Sequence, residues 1–344
     1  MRRRVTAADV AREAGVSQSA VSRVFTDGAS ASPAMAGRVR EAAERLGYRP
    51  NVLARSLITG RSRIVGLVVG YLDNPFYADA IDKLSAALQS EGYHLLIFTT
   101  GRSMPDLDRI VGELIDYQVD GLIAASANIS GELVRRCEAA GLPLVLFNRG
   151  IEGGGATAVT SANREGGALV AEFLVAGGHR CFGHVAGWHG SSTGRDRLEG
   201  FRAGLEARGA RLHHCAPGDY DRAAAAEATR AMMGAACPPD AIFAANDHMA
   251  FAVLDCLRHD LCLRVPGDVS VVGYDDVSVA AWPAYALTTV RQSSRRMVEA
   301  TVRELLAHMA APARPPVRVE VEGPLVVRES ARVPEGWHRG RADP

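Results

Sequence analysis

The first fifty residues carry short apolar stripes at a helical repeat. Thr6, with Asp9 three residues on, reads as a helix start, and Ala8, Val10, Ala11 and Ala14 recur behind it until Gly15 stops the run. Ser17 caps a second short helix whose inward positions are Ala20, Val21 and Val24, leaving Gln18, Ser19, Ser22 and Arg23 to face outward. Ser32-Pro33 opens a third, with Met35, Val39, Ala42, Ala43 and Leu46 on one stripe ending at Gly47. Three helices over one small core are predicted, the first two making a helix-turn-helix. From Ser62 onward the pattern changes. Near-continuous apolar runs at Ile64 to Gly70, Leu95 to Thr99, Gly121 to Ala125, Leu144 to Phe147, Cys181 to Ala186, Ala241 to Ala245 and Val269 to Gly273 alternate with helical stretches, such as those beginning near Phe76, Pro105 and Ser130. Such strands belong to parallel sheets covered on both faces, and about 270 residues of them fit two doubly wound lobes better than one sheet. The fold class expected is an all-α helix-turn-helix headpiece followed by a two-lobed α/β core.

Composition agrees with a folded, water-soluble chain: of 344 residues, 47% are hydrophobic and 23% charged. No apolar run reaches the roughly 18 residues of a membrane helix, and the N-terminus has no signal-peptide core, so no membrane contact and a cytoplasmic location are expected. The six cysteines (Cys137, Cys181, Cys215, Cys237, Cys256, Cys262) never fall in a C-x-x-C pair, and buried reduced thiols are the expectation. The formal charge is zero, with 39 basic and 39 acidic side chains, but the sum hides a partition. Residues 1–62 hold eleven arginines and five acids, net +6, and the rest balance them at −6. A basic segment on a mildly acidic body points to a polyanion partner for the segment alone. Helix pairs around a glycine are common, so geometry by itself leaves DNA binding open.

The wording of the segment narrows this. Val5-Thr6, Asp9-Val10-Ala11, Ala14-Gly15-Val16-Ser17, Val21-Ser22-Arg23-Val24, Leu46-Gly47-Tyr48-Arg49-Pro50-Asn51 and Ala54-Arg55-Ser56-Leu57 closely resemble the headpiece of LacI-type transcriptional repressors. The resemblance implies that Gln18, Ser19 and Arg23 read bases from a helix in the major groove, arginine suiting guanine and glutamine adenine. It implies phosphate contacts from Thr6, Ser17, Ser22, Ser32 and Asn51. Ala20 stands where many relatives have threonine, which removes one hydroxyl. Pro50 to Gly60 resembles the family's hinge helix, with Leu57 as a minor-groove wedge. The alternative is that Leu53 and Leu57, four apart, pack on the neighbouring core. The implied organisation is a headpiece at 1–49, a hinge at 50–62, a core at 63–330 and a polar tail at 331–344. Within the core, lobe 1 takes about 63–161 and 293–322, and lobe 2 about 162–290 and 323–330.

The core is similar to the same family, whose core shares the fold of periplasmic sugar-binding proteins. Asn74-Pro75-Phe76-Tyr77, Asn163 to Gly166-Gly167, Gly178-His179-Arg180, Arg197-Leu198-Glu199-Gly200-Phe201, Asn246-Asp247, Val271 to Asp276 and Leu287 to Gln292 appear in family order. The resemblance implies an effector cleft faced by Arg197, Asn246 and Asp275, with Asn148 and Gln292 contributing. Arginine, amide and carboxylate together can grip vicinal hydroxyls. Phe76, Tyr77 and Tyr220 would offer flat faces to a sugar ring or a base. The bland alternative is an Arg197–Asp275 structural ion pair with the aromatics in the core. Ser191 stands where purine-binding relatives place an arginine, so a neutral sugar or polyol is the expected effector. Trp188 and His189 either line the pocket or sit in a surface loop.

No enzyme is expected. Asp275 and Asp276 are adjacent on a strand and point to opposite faces, and no Ser-His-Asp elbow, P-loop or H-E-x-x-H occurs. No cofactor and no metal are called for, and His213-His214-Cys215 reads as a solvated loop. The expected partners are double-stranded operator DNA, a small-molecule effector and a second copy of the chain, since a homodimer doubles the contact of one small headpiece. The residues after Ser330 carry no leucine heptad, so a lac-type tetramer is not expected. The competing readings are a small-molecule binding protein with a vestigial headpiece and a regulator with a purine or other non-sugar effector.

Overall fold

The computed structural model describes residues 5–25, 30–49, 61–100, 107–125, 129–151 and 153–338. It divides after Arg63 into two compact units.

The first unit is three helices, α1 (Ala7–Ala14), α2 (Gln18–Val24) and α3 (Pro33–Leu46). Thr6 and Asp9 close a capping box: the Asp9 N–H donates to Thr6 Oγ1 at 3.4 Å and the Thr6 N–H to Asp9 Oδ2 at 3.0 Å. Ser17 and Ser32 cap the other two, accepting from Ala20 N–H and Met35 N–H. Gly15 at φ 64° supplies the left-handed turn between α1 and α2. Val10, Val21, Val39 and Ala42 are fully buried at the centre. Ala8, expected inward, is exposed, and Ala7 packs in its place. The expected hinge, with Asn51, Leu53 and Leu57, lies outside the described residues.

The second unit holds two six-stranded sheets. The strands are β1 (Ile64–Val69), β2 (His94–Thr99), β3 (Gly121–Ala125), β4 (Leu144–Phe147), β5 (Thr157–Ser161), β6 (Phe182–Ala186), β7 (Leu212–Pro217), β8 (Ala241–Ala244), β9 (Ser270–Asp275), β10 (Thr288–Arg291), β11 (Arg318–Val321) and β12 (Leu325–Val326). The orders are β11-β5-β4-β3-β1-β2 and β12-β10-β9-β8-β6-β7, parallel throughout except that β12 runs against β10. The helices are α4 (Pro75–Ser90), α5 (Leu107–Asp116), α6 (Gly131–Ala139), α7 (Asn163–Ala176), α8 (Ser192–Glu206), α9 (Arg222–Met233), α10 (Asp247–Asp255) and α11 (Ser294–Ala310). The chain passes between the sheets three times, after β5, β10 and β11. Strand order reverses beside β1 in one sheet and beside β6 in the other, and such switch points open crevices at the carboxyl ends of the strands. No helix of the described residues is long and apolar enough to cross a membrane.

Two stretches depart from the sequence reading. His213-His214-Cys215, expected as a solvated loop, lies in the edge strand β7, where the His213 ring accepts the Phe182 N–H at 3.2 Å. Alternation of exposed and half-buried positions, the mark of an edge strand, was masked by its polar residues. Beyond Ser330, Ala331 is buried and Trp337 packs edge-on against Phe173 at 5.1 Å, so this segment covers part of the second sheet's core before its polar end.

Helices α7 and α8 pack backbone to backbone, and glycines set their distance. A Cβ on Gly200 would lie 2.0 Å from the Arg164 carbonyl oxygen, and one on Gly167 would lie 2.4 Å from that of Arg197. This approach brings Asn163, at the start of α7, against Arg197 on α8. Gly200→Ala forces backbone apart from backbone, where no rotamer gives relief, and is expected to cost about 3 kcal/mol, the upper end for overpacking. Gly112→Ala, at a position in α5 with nothing within 4 Å, is the matched control and should be neutral or slightly stabilising. Urea midpoints compare them, and equal midpoints would refute the helix-crossing argument.

Candidate functional site

Every polar residue expected at the cleft lies on or just past the carboxyl end of a strand, or on a helix facing it. Asn148 follows β4, Asn246 follows β8, Asp275 ends β9 and Gln292 follows β10. Arg197 projects from α8 and is 2% exposed. Its Nε donates to Asn163 Oδ1 at 2.8 Å, Nη1 to the Ala245 carbonyl at 2.6 Å and Nη2 to Gln292 Oε1 at 2.9 Å. Asp275 Oδ1 lies 3.6 Å from Nη1, and the guanidinium carbon sits 3.7 Å from the centre of the Tyr274 ring. Asp275 Oδ2 accepts from Asn74 Nδ2 at 3.0 Å, which joins the second sheet to the first. Asn74 is itself fixed as the cap of α4, its Oδ1 accepting the Phe76 N–H.

On the first lobe's side, Asn148 Nδ2 donates to the Tyr77 hydroxyl at 2.8 Å. Two amide atoms remain unmet: Asn148 Oδ1 and Gln292 Nε2 are buried and make no hydrogen bond. An acceptor and a donor of this kind are expensive to leave dry. A hydroxyl, donor and acceptor at once, would satisfy either. Non-glycine residues in the left-handed region cluster here, with Asn148 at φ 69°, Tyr220 at 59°, Asp275 at 132° and Asp276 at 57°. Backbone strain of this kind collects at ligand sites.

The aromatic expectations divide. Phe76 is buried in the first lobe's core, stacked on Phe147 at 6.1 Å and edge-on to Tyr77 at 5.4 Å. Tyr220 is 5% exposed, its hydroxyl bonded to Thr193 Oγ1 at 2.9 Å, with the Arg149 guanidinium 5.5 Å from its ring. Asn246 spends its Oδ1 on the Met249 N–H as the cap of α10. Ser191 caps α8 through the Gly194 N–H. Trp188 and His189 are exposed, and the Trp188 ring folds over Gly190.

Asn74, Asn163 and Asp247 escaped the sequence reading as site residues. Each sits inside a motif already singled out, but at a helix start: Asn74 is the cap of α4, and Asn163 and Asp247 are the first residues of α7 and α10, where a polar side chain needs no site to explain it. Asp247 is fully buried, its Oδ1 accepting the Thr289 hydroxyl at 2.5 Å and its Oδ2 the Val277 N–H at 3.0 Å. Burial, then the charge of Asp275, raises its pKa well above the carboxylate range. Burial also raises Asp275, against the pull of Arg197 and Asn74. Among the described residues no group of three His, Cys, Asp or Glu side chains is arranged to hold a metal.

In the headpiece unit, Gln18, Ser19, Ser22 and Arg23 form the exposed outer face of α2. Ser19 Oγ lies 2.9 Å from Ser17 Oγ, and Arg23 Nε reaches back to the Ser19 carbonyl at 3.4 Å, which leaves its Nη groups outward. The Thr6 hydroxyl donates to Asp9 Oδ2 at 2.7 Å.

Residues 6–51 match the family of bacterial regulatory proteins, lacI family, and residues 171–331 match the periplasmic binding protein-like domain. The chain is 35% identical over 338 residues to the HTH-type transcriptional regulator CelR of Thermobifida fusca, covering 96% of this chain and 99% of the relative. A solved complex of transcriptional regulator CelR with cellobiose superposes with a TM-score of 0.73 at 33% identity, covering 95% of this chain and all of that one. The lac repressor dimer bound to operator and the anti-inducer ONPF superposes with a TM-score of 0.86 at 26% identity, covering 95% of this chain and 99% of that one.

Proposed function

We propose that this chain, which belongs to the lacI family of bacterial regulatory proteins and is a helix-turn-helix transcriptional regulator, is a repressor that binds a pseudo-palindromic operator as a homodimer and responds to a sugar or polyol. The observation that carries the effector assignment is the buried polar chain Asn74–Asp275–Arg197–Gln292, flanked by the unmet amide atoms of Asn148 and Gln292. Its chemistry suits hydroxyls, each of which donates and accepts. The CelR relative solved with cellobiose and the lac repressor dimer solved on operator support the two partners.

Within this reading Gln18, Ser19 and Arg23 meet base edges, while Thr6, Ser17, Ser22, Ser32 and Asn51 meet phosphates. The Thr6 hydroxyl and N–H are both engaged by Asp9, so its share falls to the N–H groups of Ala7 and Ala8 in the first turn of α1. Leu57 wedges the minor groove from a hinge at 50–62 between a headpiece at 1–49 and the core at 63–330. Arg197, Asp275, Asn246, Asn148 and Gln292 hold the effector's hydroxyls, with Tyr77 and Tyr220 against its ring and Phe76 backing Tyr77. Sugar binding changes how the lobes meet and biases the hinge, coupling cleft to operator by about 1–3 kcal/mol. The role is regulatory rather than enzymatic, needs no cofactor, and is exercised in the cytoplasm on the nucleoid.

Gel shifts on genomic fragments, with and without cellobiose, ribose and a polyol panel, test this. One fragment should outcompete bulk DNA at physiological salt, with affinity falling steeply as salt rises, because phosphate attraction resides in the +6 segment. Leu57→Ala should weaken that binding while leaving sugar-induced thermal stabilisation intact. Binding no better than to bulk DNA under every condition would reject the repressor in favour of a binding protein with an idle headpiece.

A further inference from the structure

We propose that Cys181 and Cys237 form an oxidisable pair, closed to a disulfide by hydrogen peroxide, that staples the amino ends of β6 and β8. Cys181 immediately precedes β6, and Cys237 lies 56 residues on, in the turn between α9 and β8, yet their Sγ atoms are 3.3 Å apart. The Cys237 thiol donates to Cys181 Sγ, and the Cys181 thiol is 3.3 Å from the Cys237 carbonyl. Both backbones are pinned. The Asp240 carboxylate accepts the N–H groups of Arg180 at 3.1 Å and Cys181 at 3.0 Å, and His214 on β7 donates from Nε2 to the Cys237 carbonyl at 2.7 Å. A disulfide needs the sulfurs to close to about 2.05 Å, a movement of roughly 1.3 Å that side-chain rotation can supply.

The two sulfurs differ in access in the way such chemistry needs. Cys237 is exposed and Cys181 is buried. Burial and the Cys237 thiol push Cys181 up to about 11, so it waits as a thiol. The Cys237 sulfur attacks one peroxide oxygen and the O–O bond breaks. Sulfur is oxidised to a sulfenic acid, and the departing hydroxide takes the Cys237 proton as water. The Cys181 sulfur then attacks the Cys237 sulfur. The S–S bond forms, the S–O bond breaks, and the leaving hydroxyl takes the Cys181 proton as a second water, so two thiols and one peroxide give one disulfide and two waters. Among the described residues the exposed Cys215 and Cys262 have no sulfur beside them, and Cys137 and Cys256 are buried. The pair lies at the end of the sheet opposite Asn246 and Asp275, so the bond constrains the second lobe without entering the cleft.

The full chain, treated with a small excess of hydrogen peroxide, is expected to lose about 2 Da, and on subsequent alkylation to react at two fewer thiols and to yield a linked Cys181–Cys237 peptide that dithiothreitol releases. Its unfolding midpoint should rise by about 5 °C, as closing a loop of this length predicts once native-state strain is discounted. Cys237→Ser, at an exposed position, should show neither change, and Cys181→Ser should trap Cys237 as a dimedone-reactive sulfenic acid. Oxidation of Cys215 or Cys262 while Cys181 and Cys237 stay alkylatable would overturn the proposal. So would a peroxide-induced rise in midpoint that survives Cys237→Ser.

Discussion

Arg197→Ala is expected to abolish the thermal stabilisation given by sugars and to lower the stability of the core by about 3–5 kcal/mol, while the headpiece keeps its intrinsic DNA affinity. The size follows from burial. Removing one partner of a buried ion pair leaves the other uncompensated, and here Asp275 Oδ1, Asn163 Oδ1, the Ala245 carbonyl and Gln292 Oε1 lose their donor together. The Tyr274 ring also loses its cation, 3.7 Å from its centre. Arg197→Lys keeps the charge but cannot supply three forked donors, so it should recover part of the stability and little of the sugar response. Urea denaturation reads the first quantity and sugar-induced midpoint shifts the second. A variant that keeps the wild-type sugar response would remove Arg197 from the effector site, and one that loses the response without losing stability would contradict the buried network. The two alternatives weighed for Arg197 and Asp275, ion pair or cleft, need not exclude each other. They contact one another at 3.6 Å. A hydroxyl arriving between them would take over contacts already paid for in burial.

Legibility varied with how directly a residue's local job shows in its neighbours. Thr6 with Asp9, Ser17 and Ser32 with Pro33 announced the three helix starts because a cap is a local hydrogen bond. The apolar strands β1, β3, β4, β8 and β9 were equally plain. β5, Thr-Ala-Val-Thr-Ser, was not read from the sequence: it is wholly buried, and two of its hydroxyls find partners far along the chain, Thr157 at His308 and Ser161 at Tyr274. The same blindness hid Asn74 and Asn163. The cap of α4 explained Asn74 locally and a place in the first turn of α7 explained Asn163, and only folding brings Asn74 to Asp275, 201 residues away, and Asn163 to Arg197. The paired aromatics divide for the converse reason. Phe76 and Tyr77 are neighbours in one motif, yet the helix turn sends Phe76 into the core beside Phe147 while Tyr77 meets Asn148. Cys181 and Cys237 show the same limit, since no spacing rule reports two cysteines that meet across a sheet.

Acid should destabilise the second lobe through His184, by about 3 kcal/mol between pH 6.5 and pH 4. His184 on β6 is completely buried between Phe201 and Phe243, its Nδ1–H donating to the Phe243 carbonyl at 2.9 Å and its Nε2 without a partner. Burial, with Arg202 and Arg197 adding to it and the bond to Phe243 opposing, holds its pKa down to about 4. Above pH 6.5 the ring is neutral in both the folded and the unfolded chain, and the contribution is fully present. As pH falls below that value the unfolded chain takes up a proton that the folded chain refuses, so stability drops by about 1.4 kcal/mol for each pH unit until the folded ring also titrates near 4. Burial also lowers His179 and His308, partly against the neighbouring Asp240 and Glu304, so both add slopes of the same sign, whereas the raised carboxyls of Asp247 and Asp275 add slopes of the opposite sign. The test is therefore a difference between proteins. His184→Leu strands the Phe243 carbonyl and should cost about 1 kcal/mol at pH 7. Because it removes the group that titrates, the variant should lose less stability than the wild type on going to pH 4.5, and the two should cross. Parallel curves from pH 7 to pH 4.5 would show that the proton taken up on unfolding belongs elsewhere.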